Sequence, residues 1–456
     1  MKLDFLNREK ETIRLQRALQ AEGPCFAVVY GRRRIGKSTL LQKIIAENDI
    51  YYLADQRNAP LQITGLAEQI SRAIPGFSDV TYPSWKSLLF ALNARAPDKT
   101  AIVLDEFPYL VQQSPELPSI IQKVIDEKPK ISIVLCGSSQ KMMQGLVLDA
   151  TAPLYGRAEE IIKLQPLEIG WIRKALHLTA VQSIEAYSVW GGVPRYLELV
   201  KKYSNQEQAI KELVFDRNGV LHDEPSRLLV DDLQSMVQVN SLLTLIATGC
   251  HKISEIAGRM QLPGTSLARP LARLIDLGYI KRELPHGESL KSTKRTLYKI
   301  NEPFLLFWFK FVQRNKSLLE RGLIDEVYGE FEKKFLLHVS EVWEELARES
   351  TARLNIGGVH WKPGSRWWGN GKNGKPMEID VVAESFDKKS ILFGEAKWEE
   401  NSNSKKLSER LDYCIANFPH TGNRNIVKAI WVRKSKDAHK QGLTICLPED
   451  ILACFL

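Results

Sequence analysis

Short, unbroken apolar runs dominate the first third of this chain. Residues 25–30 (CFAVVY), 101–104 (AIVL) and 131–136 (ISIVLC) are too short for helices and show no polar alternation, the pattern of strands buried on both faces of a parallel sheet. Each ends abruptly, at Gly31, Asp105 and Gly137. The period then lengthens: residues 240–246, 253–257 and 266–277 read as three helices, and residues 278–284 and 295–300 regain strand character as the two arms of a hairpin. The aromatic stretch 303–311 (PFLLFWFKF) predicts a core helix or a seam between domains in preference to a base-stacking platform, since buried aromatics usually pack. Toward the C-terminus, residues 377–383 (MEIDVVA) and 391–398 (ILFGEAKW) are two more strand-like runs, joined by a polar turn at Asp387 and Lys388.

The ends of the first strands carry chemistry. The run at 25–30 leads straight into Gly31, Arg32, Arg33, Arg34, Ile35, Gly36, Lys37 and Ser38, and Thr39 continues as a helix. This is the spacing of a phosphate-binding loop: glycines let backbone N–H groups curl around the phosphates, Lys37 reaches the β and γ oxygens, and Ser38 offers a hydroxyl to Mg²⁺. The helix turns its N-terminus toward the anion. The second strand delivers Asp105, placed to hold the Mg²⁺ shell, and Glu106, placed to orient or deprotonate the attacking water. Two acids merely closing a strand is the alternative. The third strand ends at Gly137, Ser138 and Ser139, where a polar group can sense the γ-phosphate, although serine after a strand is also ordinary turn chemistry.

Three short helices followed by a hairpin outline a winged helix-turn-helix. Lys291, Lys294 and Arg295 at the hairpin tip are candidates for phosphate contact, and Thr265, Ser266 and Arg269 on the third helix for groove contact with DNA. Pro270 falls inside that helix and is expected to kink it unless it lies in the first turn. Winged helices also serve as protein-protein or intramolecular modules, so both uses stand.

In the C-terminal pair of runs, Asp380 and Glu395 lie equally far from the turn. A hairpin closing symmetrically sets them opposite each other, with Cβ atoms about 5 Å apart. Lys397, two residues on, points to the same side. Facing carboxylates between apolar strands repel and lose hydration. A divalent cation, Mg²⁺ or Mn²⁺, would relieve both and lower the pKa of a bound water, with Lys397 orienting that water or steadying transition-state charge. The alternative is an ion network at a hairpin edge.

Composition narrows the picture further. At ~150 residues per domain, 456 residues imply two to four domains. Hydrophobic content of 44% with 26% charged residues excludes a chain dominated by disorder. The balance of 63 Lys+Arg against 54 Asp+Glu, a net +9, permits a polyanionic partner without demonstrating one. Six scattered cysteines form no zinc-chelating pair and read as reduced core residues. The first residues (MKLDFLNRE) carry acids where a signal peptide needs an apolar stretch, and no run is long enough to span a bilayer. A cytoplasmic protein without a membrane partner is expected.

Taken with FLNREKE at 5–11, PLYGR at 153–157 and WGGVPRYL at 190–197, the segments YGRRRIGKSTL, VLDEF and LCGSS resemble the archaeal-type ATPases, on the AAA+/STAND side of the P-loop NTPases. The resemblance implies that Ser138 takes the sensor position and that the segment around Pro194 and Arg195 belongs to a helical lid. It also implies that Arg157 contacts nucleotide phosphate, with an ordinary surface arginine as the alternative. GSRWWG at 364–369, EIDVVA and LFGEAKW are similar to the PD-(D/E)xK nuclease-like domain commonly fused to such ATPases, although Ile379 and not proline precedes Asp380. That likeness implies an opening helix over 331–348 with Glu344 as a further metal ligand; Glu341 and Glu345 contest the place.

The expected fold is α/β, with a P-loop NTPase parallel sheet over residues 1–165 and a helical lid over 166–235. A winged helix-turn-helix over 236–315 and a restriction-endonuclease-like α/β domain over 316–456 follow. The expected function is ATP binding and hydrolysis, with Mg²⁺, by a protein that acts on DNA and carries a metal-dependent nuclease-like domain. The rival is a nucleotide-gated switch that binds DNA or a protein partner through a catalytically inactive C-terminal domain. AAA+ relatives often borrow a neighbour's arginine and none here is unambiguous, which keeps a homo-oligomer among the partners to be tested.

Overall fold

The N-terminal apolar runs become strands in the computed structural model, which describes all residues but 1, 2, 4, 128, 231–235, 292–294, 401 and 436–441. β1 (Phe26–Tyr30), β2 (Ile50–Leu53), β3 (Ala101–Asp105), β4 (Ser132–Gly137) and β5 (Glu160–Lys163) form one parallel sheet in the order β2-β3-β4-β1-β5. Every residue of β1, β3 and β4 is buried. Alternate side chains feed two cores: Phe26, Val28, Leu104 and Leu135 pack with Leu66 and Ile70, while Ala27, Val29, Val103 and Cys136 pack with Leu15, Leu40 and Leu41. Apolar layers on both faces explain the missing polar alternation. Because the strands run the same way, the segments leaving β1, β3 and β4 meet at one edge. This sheet lies in a unit comprising Phe5–Pro166.

A second unit takes in Leu167–Arg227 and Leu233–Leu456. Helices Gly170–Leu176, Ala180–Trp190 and Pro194–Val200 open it. Helices Met236–Ala247, Ile253–Met260 and Gly264–Asp276 then precede β6 (Ile280–Glu283) and β7 (Leu297–Ile300), which pair antiparallel. The third helix is continuous through Pro270, which lies beyond its first turn. The carbonyl that proline leaves without a donor, that of Ser266, belongs to an exposed residue, where water can take the bond. Phe304, Phe307, Trp308, Phe309 and Phe311 are all buried. Phe307 and Phe311 meet Phe331 edge-on, with ring centroids 5.4 and 5.0 Å apart, so the aromatic run is a packing seam against the long helix Ile324–Ser350.

The C-terminal sheet is built from β8 (Ser365–Asn370), β9 (Pro376–Glu384), β10 (Ser390–Lys397), β11 (Asn425–Val432) and β12 (Thr444–Cys446), in the order β12-β11-β10-β9-β8. β8, β9 and β10 are antiparallel neighbours, whereas β10, β11 and β12 are parallel. Pairing of Glu384 with Ile391 through Val381 with Gly394 is the register that a symmetric turn predicts; the ladder ends there, one step short of Asp380 and Glu395. The long helix covers one face, where Trp343 donates to the Trp431 carbonyl at 3.2 Å and Trp431 to the Ser350 hydroxyl at 3.0 Å. Helix Ser404–Asn417 covers the other, with Leu411 and Cys414 against Ile391 and Phe393. All six cysteines are free thiols, five of them buried. Among the described residues, no helix is long and apolar enough to cross a membrane.

One packing detail predicts pH sensitivity. His338 of the long helix is fully buried, with Nε2 2.8 Å from the Ser188 carbonyl, so that nitrogen carries the hydrogen. Burial, reinforced by Lys310, lowers its pKa to about 3. The unfolded chain takes up this proton at about pH 6.5, so the contribution is whole above that pH. It is lost as pH falls toward 3, at about 1.4 kcal/mol per unit. Between about pH 7 and pH 5 the urea midpoint of His338→Gln is expected to vary less than that of wild type. Equal slopes would assign the acid lability to another group.

Candidate functional sites

The loop leaving β1 needs its two glycines. Gly31 has φ +151°, and a Cβ there would meet the Leu164 carbonyl oxygen at 2.5 Å; Gly36 has φ +91°. Lys37 opens helix Lys37–Ile44, and its Nζ donates to the Gly31 and Arg32 carbonyls at 3.0 and 2.9 Å and to Ser138 Oγ at 2.7 Å. Burial lowers its pKa, against the raising influence of Cys136, Glu106 and Asp105. Ser38 Oγ donates to Asp105 Oδ2 at 2.6 Å, and the hydroxyl of Tyr51, on β2, donates to the same oxygen at 2.5 Å. Glu106, left-handed at φ 54°, caps helix Phe107–Gln113. Its Oε1 accepts the Ser138 hydroxyl at 2.6 Å and its Oε2 the Ser138 N–H at 3.2 Å. Lys37, Ser138 and Glu106 thus form one hydrogen-bonded chain across the sheet edge.

Other expected nucleotide residues fall less uniformly. Arg33 donates to the Tyr109 hydroxyl at 2.6 Å, Arg34 holds a left-handed φ of 68°, Arg32 and Ile35 are buried, and Thr39 is exposed. Arg8, from the FLNREKE segment, braces the loop by donating to the Ile35 and Gln165 carbonyls at 3.3 and 2.6 Å. Arg157 is not brought to this edge. It precedes β5, whose first residue pairs with Ala27 near the start of β1, so it lies at the opposite end of the sheet, paired with Asp126 at 2.9 and 3.0 Å.

In the C-terminal sheet Asp380, Glu395 and Lys397 do meet. Asp380 Oδ2 accepts the Ala396 N–H at 3.0 Å and lies 3.5 Å from Lys397 Nζ. Glu395 is 0% exposed, and its Oε1 lies 2.8 Å from Lys397 Nζ and 2.9 Å from an Arg410 nitrogen. Those contacts are ion pairs by distance, yet neither Glu395 oxygen has a partner in hydrogen-bond geometry. Burial first and the Asp380 carboxylate second raise Glu395 to about 7, and the same two causes raise Glu344, on the long helix, to about 7. Burial works to lower Lys397, but Asp380 and Glu395 outweigh it and its pKa is raised. Of the contending glutamates, Glu341 is paired with Lys310 at 2.6 Å and Glu345 with Arg348 at 2.9 Å. Glu344 is the one whose pKa the Asp380 carboxylate helps to raise.

Hard, mutually repelling oxygens of this kind fit a divalent cation. Among the described residues no group of three or more His, Cys, Asp or Glu side chains is arranged so that it could hold a metal ion, so Glu344 does not join Asp380 and Glu395 as a third ligand. Asp380 and Glu395 would therefore be completed by water or phosphate oxygens, a donor set that suits Mg²⁺, which keeps several waters and takes one or two carboxylates.

The expected DNA contacts divide. Ser266 and Arg269 are exposed on helix Gly264–Asp276, with Ser266 Oγ turned back to the Pro263 carbonyl at 2.7 Å, and Lys291 is exposed. Lys294 lies outside the described residues. Arg295 is spent within the chain, donating to the Trp368 carbonyl of β8 at 2.8 Å and pairing with Glu288. Tyr51, Arg410 and Arg348 are not among the expected site residues. Tyr51 and Arg410 reach their carboxylates from other elements, so nothing local marks them; Arg348 pairs with Glu345 and Glu344 on its own helix, and its reach to Glu283 and the Asp380 carbonyl is what the sequence hides.

A parallel sheet with a phosphate loop, a strand-end Asp-Glu pair and a polar third strand end defines a P-loop ATPase. Residues 5–200 match an ATPase domain found predominantly in Archaea, and residues 308–408 match a family of archaeal and bacterial proteins of unknown function. The uncharacterized protein MJECL04 of Methanocaldococcus jannaschii is 30% identical over 406 residues, which span 87% of this chain and 88% of that protein. The chain belongs to this family, the archaeal-type ATPases. Among solved structures, the Walker-type ATPase paby2304 of Pyrococcus abyssi aligns with a TM-score of 0.51 and 20% identity over 67% of this chain and 96% of that one, a likeness of fold.

Proposed function

We propose that ATP hydrolysis by this chain serves action on DNA, and that the C-terminal sheet is a metal-dependent nuclease-like site of the PD-(D/E)xK kind. The observation that carries the reading is the convergence of Asp380, Glu395 and Lys397 at one strand end, with Glu344 beside them. Buried acids that raise one another's pKa are costly to keep unless a cation compensates them. A bound Mg²⁺ or Mn²⁺ would supply Lewis acidity and a water of lowered pKa. Asp380 and Glu395 would hold the ion. Lys397 stands between both carboxylates, where its ammonium can orient a water or balance charge on a phosphate, and Arg410, 47% exposed, holds Glu395 from the solvent side. At the nucleotide, Lys37 would hold the β and γ phosphates and Ser38 and Asp105 the Mg²⁺ shell, with Glu106 directing the water. Duplex DNA is favoured over RNA because a three-helix module more often meets B-form duplex, and Arg269 is exposed on the third helix.

The test is incubation of the full chain with single-stranded and supercoiled DNA in Mg²⁺ and in Mn²⁺, with and without ATP. Metal-dependent cutting is expected, and uncut DNA under every condition would end the nuclease reading. The second reading is a nucleotide-gated switch, favoured by one observation: both Lys397 and Arg410 already neutralise Glu395. It expects salt-sensitive binding that responds to nucleotide, without cleavage.

Tyr51 supplies a separate check on the nucleotide end. Its hydroxyl and that of Ser38 share Asp105 Oδ2. If Ser38 turns to Mg²⁺, Tyr51 remains to fix the carboxylate. Removing a hydrogen bond to a charged group costs about 1.5–3 kcal/mol, so Tyr51→Phe is expected to raise the Mg²⁺ needed for half-maximal ATP turnover by about ten-fold or more. An unchanged Mg²⁺ titration would leave Tyr51 a packing residue.

A further inference from the structure

The hairpin that a DNA-reading wing would hold out to solvent is instead fastened to the long helix and to β8, the elements beside the carboxylate site. Glu283, the last residue of β6, reaches Lys299 of β7 at 3.0 Å, Arg366 of β8 at 3.5 Å and Arg348 of the long helix at 3.8 Å. Lys281, on the same face of β6, pairs with Glu345 of the long helix. Two further bonds fasten the tip: the His286 N–H donates to the Arg366 carbonyl at 2.9 Å, and Arg295 to the Trp368 carbonyl.

The groups Glu283 holds are those that set the acids. Arg348 is buried, donates to the Asp380 carbonyl at 3.1 Å and to Glu345 at 2.9 Å, and lies 3.9 Å from Glu344. Arg366 binds Glu378, two residues before Asp380 on β9, at 2.5 Å. A cleft of about 490 Å³ runs between these elements, and Lys281, Lys299, Glu344, Glu345, Arg366 and Glu378 are in its lining. Glu344 therefore faces a space that the hairpin helps to enclose.

We propose that β6 and β7 are a fixed wall of the carboxylate site, with Glu283 as a positioning residue that sets Arg348 and, through it, Asp380 and Glu344. The inference rests on reading that site as a divalent-cation site. Partners that orient ligating carboxylates change metal affinity by about 10–100-fold when removed. With Glu283 neutral, Arg348 is free to turn wholly to Glu344 and Glu345, which loosens its bond to the Asp380 carbonyl and so shifts the carboxylate that would hold the ion.

Direct Mn²⁺ binding by the full-length protein, followed by calorimetry or by electron paramagnetic resonance below the unfolding temperature, tests this. Asp380→Asn marks the signal that belongs to the site. Glu283→Gln is expected to weaken that signal's affinity by about ten-fold or more, Glu283→Asp to restore most of it, and Arg353→Ala to leave it unchanged. Arg353→Ala breaks an ion pair with Glu168, outside the site, and so reports the effect of losing a salt bridge alone. Equal affinity in wild type and Glu283→Gln overturns the proposal while sparing the metal site. Failure of wild type to bind Mn²⁺ at an Asp380-dependent position overturns both.

Discussion

Glu106→Gln is expected to keep ATP binding while lowering turnover by about 100-fold or more. Lys37, Ser38 and Asp105 are left in place, and their contacts with one another and with Ser138 do not pass through the Glu106 carboxylate. The amide keeps the size of the acid and one acceptor for Ser138, but it cannot take a proton from water. Phosphate release measured beside equilibrium binding of a fluorescent ATP analogue separates the two effects. Turnover close to wild type would reduce Glu106 to a structural partner of Ser138 and move the search for the water-activating group elsewhere.

Lys397→Ala is expected to lower metal-dependent DNA cleavage by about 100- to 10,000-fold while the protein stays folded. Lys397 is the ammonium group in contact with both Asp380 and Glu395. Its loss leaves Glu395 buried with Arg410 as its remaining cation. An acid already raised to about 7 can accept a proton near neutrality, so the variant escapes the cost of a stranded buried charge. Thermal unfolding within a few degrees of wild type, with cleavage gone, is the expected pair of results. Cleavage at the wild-type rate would place the chemistry outside this strand end.

The nucleotide edge was legible because its residues follow their strands in sequence: a run buried on both faces fixes where Gly31, Asp105 and Ser138 emerge. The approach of Asp380 to Glu395 was legible for a similar reason, since a tight turn sets the register of the two strands it joins. Arg157 shows where a motif likeness gives way to topology. A residue just before a parallel strand starts at the edge opposite the phosphate loop, and Asp126 waits there. Tyr51 and Arg410 left no trace, because their partners lie on other elements, and for Arg348 only the contacts with Glu344 and Glu345 on its own helix are local. The docking of the hairpin was hidden as well. Arg295 reads as a candidate for phosphate contact and Glu283 as one residue of a strand-like run until Trp368, Arg366 and the long helix's Arg348 emerge as their partners.

The Glu283–Arg348 contact also sets how the molecule answers ionic strength. Dissolved ions screen exposed charges over about 10 Å at 0.1 M but reach closed pairs far less. Contacts between a polyanion and exposed residues such as Arg269 should therefore fade as salt rises, while the buried arginine and its acidic partners hold. A salt titration would thus strip a nucleic acid from the surface and leave the pocket's architecture standing, so that loss of cutting at high salt would report departed substrate and not a dismantled site.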